Sequence, residues 1–143
     1  MNVSKRTSRS AFALALLLLV VGPSTYAAHA AGQARVFFTS PRDGATVISP
    51  VKVTMGAENF GIEPAGKVKA GAGHLHIMVD TDCVAAGKVV PADATHLHYG
   101  KGQMEAELAL SSGTHTLCLQ AADGAHIALA GAGMTQKITL TVK

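Results

Sequence analysis

Hydrophobic and polar residues alternate over several short stretches of the chain, most clearly over residues 73–80, Gly-His-Leu-His-Ile-Met-Val-Asp. A period of two is typical of a half-buried β-strand, in which residues two positions apart share a face. One face of this predicted strand holds Leu75, Ile77 and Val79. The opposite face holds His74, His76, Met78 and Asp80. An apolar core explains the first set, whereas the second set requires another explanation.

The same alternation predicts strands at 34–39, 46–48, 51–57, 103–110, 114–120 and 135–142. Gly, Pro, Asp and Ser residues between these stretches form turn signals, as in Ser40-Pro-Arg-Asp-Gly44 and Ser111-Ser-Gly113. No stretch has the period of a convincing amphipathic helix. About seven short strands separated by turns therefore predict an all-β fold, an antiparallel immunoglobulin-like sandwich.

Residues 1–30 have the pattern of a secretory signal peptide. Three basic residues precede the apolar run 11–21, and Ala28-His-Ala30 provides the small residues of a cleavage site. This run is much shorter than the roughly 20 residues that a membrane span needs. We therefore expect residues 31–143 to be a single β-sandwich domain without a transmembrane segment, located in the periplasm or secreted.

Charge and aromatic content limit the classes of partner. Residues 31–143 contain nine Lys or Arg and nine Asp or Glu, so the net charge of +3 belongs to residues 1–30. Aromatic residues make up only 4% of the sequence. A nucleic-acid-binding surface needs a basic stripe, and RNA or single strands also need aromatic platforms. The composition therefore argues against nucleic acid as a partner.

Two His-Leu-His segments, 74–76 and 96–98, are the main candidates for chemistry. Side chains two apart on a strand stand roughly 6.6 Å apart, near enough for two imidazoles to bind one ion. Imidazole suits copper and zinc, and a thioether such as that of Met78 favours copper. The predicted direct ligands are His74, His76, His96 and His98, with Met78, His115 and His126 as additional candidates. The alternative is that these histidines only donate hydrogen bonds to loops.

Protonated imidazole cannot bind a metal, so binding is expected to weaken as the pH falls through about 6.5, the pKa of an unperturbed ring. Cys83 and Cys118 are the only cysteines. In an exported protein an even count predicts a disulfide. The alternative is a free thiol or a thiolate that binds the metal.

The order of the motifs resembles a known family. Ser-Pro-Arg-Asp-Gly-Ala-Thr-Val, Gly-His-Leu-His-Ile-Met-Val-Asp, His-Leu-His-Tyr-Gly-Lys-Gly-Gln and Gly-Thr-His-Thr-Leu, spread over residues 34–143, resemble the bacterial DUF4399 domain family. The resemblance implies a small exported protein with one β-rich domain and implies no reaction. In the family the loop that corresponds to residues 123–129 is usually richer in histidine and proline, and Cys83 and Cys118 are not family features.

The function expected from these observations is binding of copper or zinc for buffering or delivery of the metal. The alternative is an envelope module that binds a protein or another ligand through the loops of the sandwich. An enzyme is the least favoured class, because the sequence has no Gly-x-Ser-x-Gly motif, no Cys–His nucleophile arrangement and no clear pair of carboxylates.

Overall fold

The computed structural model describes residues 32–143, which form nine β-strands and no helix. The strands are β1 (Arg35–Ser40), β2 (Thr46–Val47), β3 (Val51–Glu58), β4 (Gly61–Ile62), β5 (Ala72–Val79), β6 (His96–Tyr99), β7 (Glu105–Leu108), β8 (Gly113–Ala122) and β9 (Thr135–Val142). Within this range, no helix exists that is long and apolar enough to cross a membrane.

The strands form two sheets. The smaller sheet has the order β1-β3-β7, and the larger sheet has the order β2-β9-β8-β5-β4, with β6 also paired to β5. Most neighbours are antiparallel. The two-residue strands β2 and β4 instead pair in parallel with β9 and β5. Strand β5 therefore lies inside the larger sheet, with β8 on one side and β4 and β6 on the other.

Apolar side chains from both sheets meet in a single core. Val53 of the smaller sheet and Leu75, Ile77 and Leu140 of the larger sheet belong to it, and each has 0% of its surface exposed. Burying one such side chain is worth about 1.5–3 kcal/mol. The shared core gives the two sheets a sandwich-like arrangement, and it accounts for one face of β5.

The opposite face of β5 is also covered. A second apolar cluster on this outer face contains Met78, Val90, Cys118, Ala122 and Ala128. Val90 comes from the segment between β5 and β6, and Ala128 comes from the segment between β8 and β9. Seven of the eight residues of β5 are consequently buried, although the alternating sequence predicts a half-buried strand. The difference arises because these two segments fold over the outer face.

Contacts at Cys83 and Val84 help to attach the segment 80–95 to β8. A disulfide joins Cys83 to Cys118, whose Cα atoms lie 5.6 Å apart, so the predicted bridge is confirmed. The amide of Gln120 holds Val84 in two ways, since its Oε1 accepts the backbone N–H at 2.9 Å and its Nε2 donates to the carbonyl at 2.7 Å. The segment is thus fixed over the outer face beside the histidines of β5.

The all-β class predicted from the sequence is confirmed. The strand count is nine rather than about seven, partly because Gly61–Ile62 pairs with β5 in the stretch between the predicted strands 51–57 and 73–80. A strand of two residues that begins with a glycine is too short to show a detectable alternation. The immunoglobulin-like topology and the domain boundary at residue 31 stay predictions. The predicted signal peptide, residues 1–30, lies outside the described residues.

Candidate metal centre

Strand β5 supplies two histidines on its outer face. His74 and His76 are two residues apart, so their side chains point the same way, and they are 0% and 1% exposed. Their Nε2 atoms lie 3.0 Å apart, and their ring centroids lie 4.8 Å apart. This arrangement follows from the His-Leu-His pattern, because Leu75 anchors the opposite face in the core.

Strand β6 adds a third histidine. It runs antiparallel to β5 with His98 directly opposite His76. The ring centroid of His98 lies 4.9 Å from that of His74 and 5.0 Å from that of His76. The ligand atoms of these three residues all lie within 4.8 Å of one another. A triad of this geometry can hold a metal ion, and the two His-Leu-His segments are indeed neighbours.

The loop after β8 brings a fourth imidazole to the triad. The ring centroid of His126 lies 4.8 Å from that of His98 and 4.9 Å from that of His74. Its Nε2 lies 3.2 Å from Nε2 of His98. The carboxylate of Asp123 shapes this loop by accepting the backbone N–H groups of Ala125 at 2.8 Å and Ile127 at 2.9 Å. His126 itself has a φ of 66°, the left-handed region, which turns its side chain at this position.

Gly100 makes room for the ring of His98. A Cβ atom added at Gly100 would overlap Nε2 and Cε1 of His98. The φ of Gly100 is not positive, so the backbone conformation itself does not demand glycine at this position. The space beside the ring is therefore what a larger residue would remove, and Gly100 acts as a positioning residue for His98.

Burial and mutual repulsion favour the neutral form of His74, His76 and His98. Desolvation lowers the pKa of His76 to about 3, and a positive charge on His74 or the other neighbouring histidines adds to this effect. Desolvation, with His98 and His126, lowers the pKa of His74 to about 4, while the Asp123 carboxylate acts in the opposite direction. Burial and His126 also lower the pKa of His98. Neutral imidazole is the form that binds a metal.

The nitrogens that face away from the centre are unusual. The Nδ1 atoms of His74 and His76 are buried and have no hydrogen-bond partner among the described residues. Buried polar atoms are normally paired, because an unpaired one costs free energy. Metal-binding histidines usually donate this second N–H to a carboxylate or carbonyl. His74 and His76 can therefore bind a metal through Nε2, but their Nδ1 atoms lack the hydrogen-bond acceptor that usually orients a metal-binding histidine.

Three other predicted ligands lie outside this cluster. Nδ1 of His96 lies 2.8 Å from a carboxylate oxygen of Asp93, and Nδ1 of His115 donates to Asp80 at 2.7 Å. The other ring nitrogen of His115 donates to the carbonyl of Ser111 at 2.9 Å. Met78 packs into the apolar cluster of the outer face. Of the seven predicted residues, the structure thus brings four together, His74, His76, His98 and His126.

Two residues that shape the site do not stand out from the sequence alone. Gly100 follows the second histidine pair within His-Tyr-Gly, where it looks like an ordinary turn residue. Asp123 precedes Gly124, which also reads as a turn. The only indication of their roles in the sequence is that each lies within three residues of a clustered histidine. Their roles become visible only when the space beside His98 and the hydrogen bonds of the loop are known.

Comparison with curated proteins and comparison with solved structures each found no match. A family model described as "Domain of unknown function (DUF4399)" matches residues 53–143. The matched region includes β5, β6 and the loop after β8, and therefore all four clustered histidines. Because the match covers well over half of the chain, the protein belongs to the DUF4399 family.

Proposed function

We propose that this protein binds a transition metal ion, copper or zinc, through His74, His76, His98 and His126, and that it buffers or delivers the metal. The observation that carries the proposal is the convergence of three imidazoles, whose ligand atoms lie within 4.8 Å of one another. The fourth imidazole completes a set of the number that copper and zinc accept.

The protonation state of the rings supports the same function. A metal must displace any proton held on a ligand nitrogen. The lowered pKa values of His74, about 4, and His76, about 3, mean that both rings are neutral at neutral pH, so that each has one nitrogen with a free lone pair. The cost of burying His74 and His76 side by side also becomes understandable, since an ion at the centre would replace the repulsion between their lone pairs by attraction.

A second candidate function, binding of a non-metal ligand by the loops, is favoured by one observation. A cavity of about 580 Å³ lies beside the cluster and is lined mainly by small and apolar residues, among them Phe60, Leu129 and Met134. Cavities of this size and character often hold small molecules. Asp123, which belongs to the loop that carries His126, lines it as well. Elemental analysis of the purified protein separates the two candidates.

We place this function outside the cytoplasm, in the periplasm or a secreted form. The disulfide between Cys83 and Cys118 is consistent with an oxidising compartment. The basic start, the apolar run and the small residues at 28–30 support removal of residues 1–30 on export. Within such a compartment a histidine site would meet copper or zinc from the surroundings.

The strand order supports the immunoglobulin-like topology. In sandwiches of that type, strands A, B and E are neighbours in one sheet, and strands G, F, C and C′ are neighbours in the other. In this chain the first set corresponds to β1, β3 and β7, and the second set to β9, β8, β5 and β6. The order found here has both features. We infer an immunoglobulin-like sandwich whose outer face, rather than its core, carries the histidines.

The test is metal titration of the full chain, free of tags, and of single variants. His76→Ala and His98→Ala should each weaken copper or zinc binding by more than about tenfold, because each removes a direct ligand. The double variant should cost less than the sum of the two, since residues that share one ligand are coupled. His115→Ala is the matched control, because His115 lies outside the cluster. Additive losses, or no more metal bound by the unmodified protein than by the double variant of His76 and His98, would reject the proposal.

Gly100→Ala provides a subtler variant in the same titration. It keeps all four histidines in the chain and displaces only the ring of His98. We expect a loss of affinity of about 10- to 100-fold, the range seen when groups that orient a ligand are changed. The unfolding midpoint should change little, because the clash is with the end of a side chain. Unchanged affinity would show that His98 does not bind the metal.

A further inference from the structure

The donors of the metal centre carry no negative charge. Among residues 32–143, the group that can hold an ion consists of His74, His76 and His98, without a cysteine or a carboxylate. His126 is a fourth imidazole beside them. A site built from neutral imidazoles has, once loaded, the full charge of its ion. Zinc sites in proteins commonly offset this charge with thiolates or carboxylates.

The nearby carboxylates serve other partners. Asp93 binds His96, and Asp80 binds His115. Within the described range 32–143, these are the two histidines that lie outside the cluster. Asp123, which acts on His74, already accepts backbone N–H groups of its own loop. The carboxylate–histidine pairs that normally support a divalent ion are therefore present in this protein and placed away from its candidate metal centre.

The burial of the two inner ligands makes this charge costly. His74 and His76 are 0% and 1% exposed, and their outward nitrogens have no acceptor among the described residues. The cost of transferring an ion from water to a poorly polar site rises with the square of its charge, so it is about fourfold larger for a divalent ion. The choice of imidazole alone does not select between copper and zinc. The charge of the ion, which the donors do not compensate, distinguishes Cu(I) from Zn²⁺ at this site.

We propose that the site selects a monovalent ion, Cu(I), over divalent ions such as Zn²⁺, a proposal that rests on the metal-binding function proposed above. Cu(I) adds a single positive charge to the cluster. It has a filled d shell and accepts two, three or four ligands, so the inner pair can hold it and His98 and His126 can complete the coordination. The cargo of the site is then reduced copper.

The test compares four ions that all have filled d shells, so that ligand-field effects do not contribute. The purified full chain is titrated without oxygen with Cu(I), Ag(I), Zn²⁺ and Cd²⁺ against competing chelators. Cd²⁺ is as soft as many monovalent ions and therefore separates charge from softness. We expect Kd values for Cu(I) and Ag(I) at least about 100-fold below those for Zn²⁺ and Cd²⁺.

Two variants identify the site that responds. His96→Ala combined with His115→Ala removes two histidines outside the cluster and should leave the order and the affinities unchanged. His76→Ala should abolish the preference for Cu(I) and Ag(I). Zn²⁺ or Cd²⁺ binding as tightly as Cu(I), and lost in His76→Ala, would overturn this inference and leave the metal-binding function standing. If the wild type binds none of the four ions more tightly than the His76→Ala variant does, both the inference and the metal-binding function are overturned.

Discussion

At the scale of single residues, the molecule contains histidines of two opposite kinds. Burial and neighbouring rings lower the pKa of His74 to about 4 and of His76 to about 3. The hydrogen bond with Asp80, and then that with Ser111, instead raise the pKa of His115. The environment of the first kind favours the neutral ring, whereas that of the second favours the protonated ring, which can pair with Asp80.

These shifts predict how the stability of the metal-free protein depends on pH. In the unfolded chain both inner histidines titrate near 6.5, whereas the folded protein resists their protonation until pH 4 and 3. Between these values the unfolded state binds more protons, so acid favours unfolding. The contribution of His74 and His76 is present above pH 6.5 and is lost as the pH falls toward 3. That of His115 has the opposite sign and is lost as the pH rises through its raised pKa.

Urea unfolding at pH 7 and pH 5 measures this effect. The free energy of unfolding should fall over this interval, and the fall should be smaller in a variant with His74→Ala and His76→Ala. An equal fall in the variant would contradict the prediction.

The low pKa values also change the expectation for metal binding, because protons compete for the two inner rings at a more acidic pH than the 6.5 that the sequence suggests.

Residue patterns reveal part of the site. The alternation in 73–80 predicts correctly that His74 and His76 share a face and that Leu75 enters the core. It cannot distinguish His96 from His98, because both have the same parity in β6. Asp93 decides between them by holding His96 at 2.8 Å. His126 reaches the cluster through a loop conformation that no periodicity encodes.

At the scale of elements, the segment 80–95 depends on its attachment to β8. The bridge closes a loop with a sequence separation of 35 residues. By the chain-entropy estimate such a loop contributes about 4 kcal/mol to stability, since it restricts the unfolded chain. Removing the bridge should therefore destabilise the protein by an amount of this size.

Cys83→Ser tests this prediction while leaving the buried Cys118 in its cluster. Its urea midpoint should fall well below that of the wild type, and a reducing agent should lower the wild-type midpoint to a similar value. Thiol titration of the unfolded, non-reduced wild type should find no free cysteine. Free thiols in that titration, or equal midpoints for variant and wild type, would show that the bridge does not form.

The strands themselves are the part of the fold that the sequence predicts best. Strands β3, β5, β8 and β9 each contain at least eight residues with clear alternation or apolar runs. Their pairing is harder to predict, because neighbours such as β5 and β8 are far apart in the chain and tertiary packing decides which strands meet. The adjacency of β5 and β6, which unites the two histidine segments, belongs to this second kind of information.

At the scale of the whole molecule, the proposed export would decide which chain carries the site. We predict that the mature protein begins at or near Ala31, because Ala28-His-Ala30 fits a cleavage site after an apolar run. Amino-terminal sequencing of protein from the periplasm or medium checks this. A chain that begins at Met1 would contradict the prediction. So would one that begins at His29, whose amine and ring would then form a copper ligand of their own.

The alternation in β5 ties the histidine site to the accuracy of folding. A shift of the pairing by one residue turns every side chain of a strand to the opposite face. In β5 such a slip would place Leu75 and Ile77 among the imidazoles and drive His74 and His76 between the two sheets. Both faces would be wrong at once, so the slipped register is penalised twice. An ion bound at the centre would stabilise the native register further, because the histidines converge only when β5 is paired in that register.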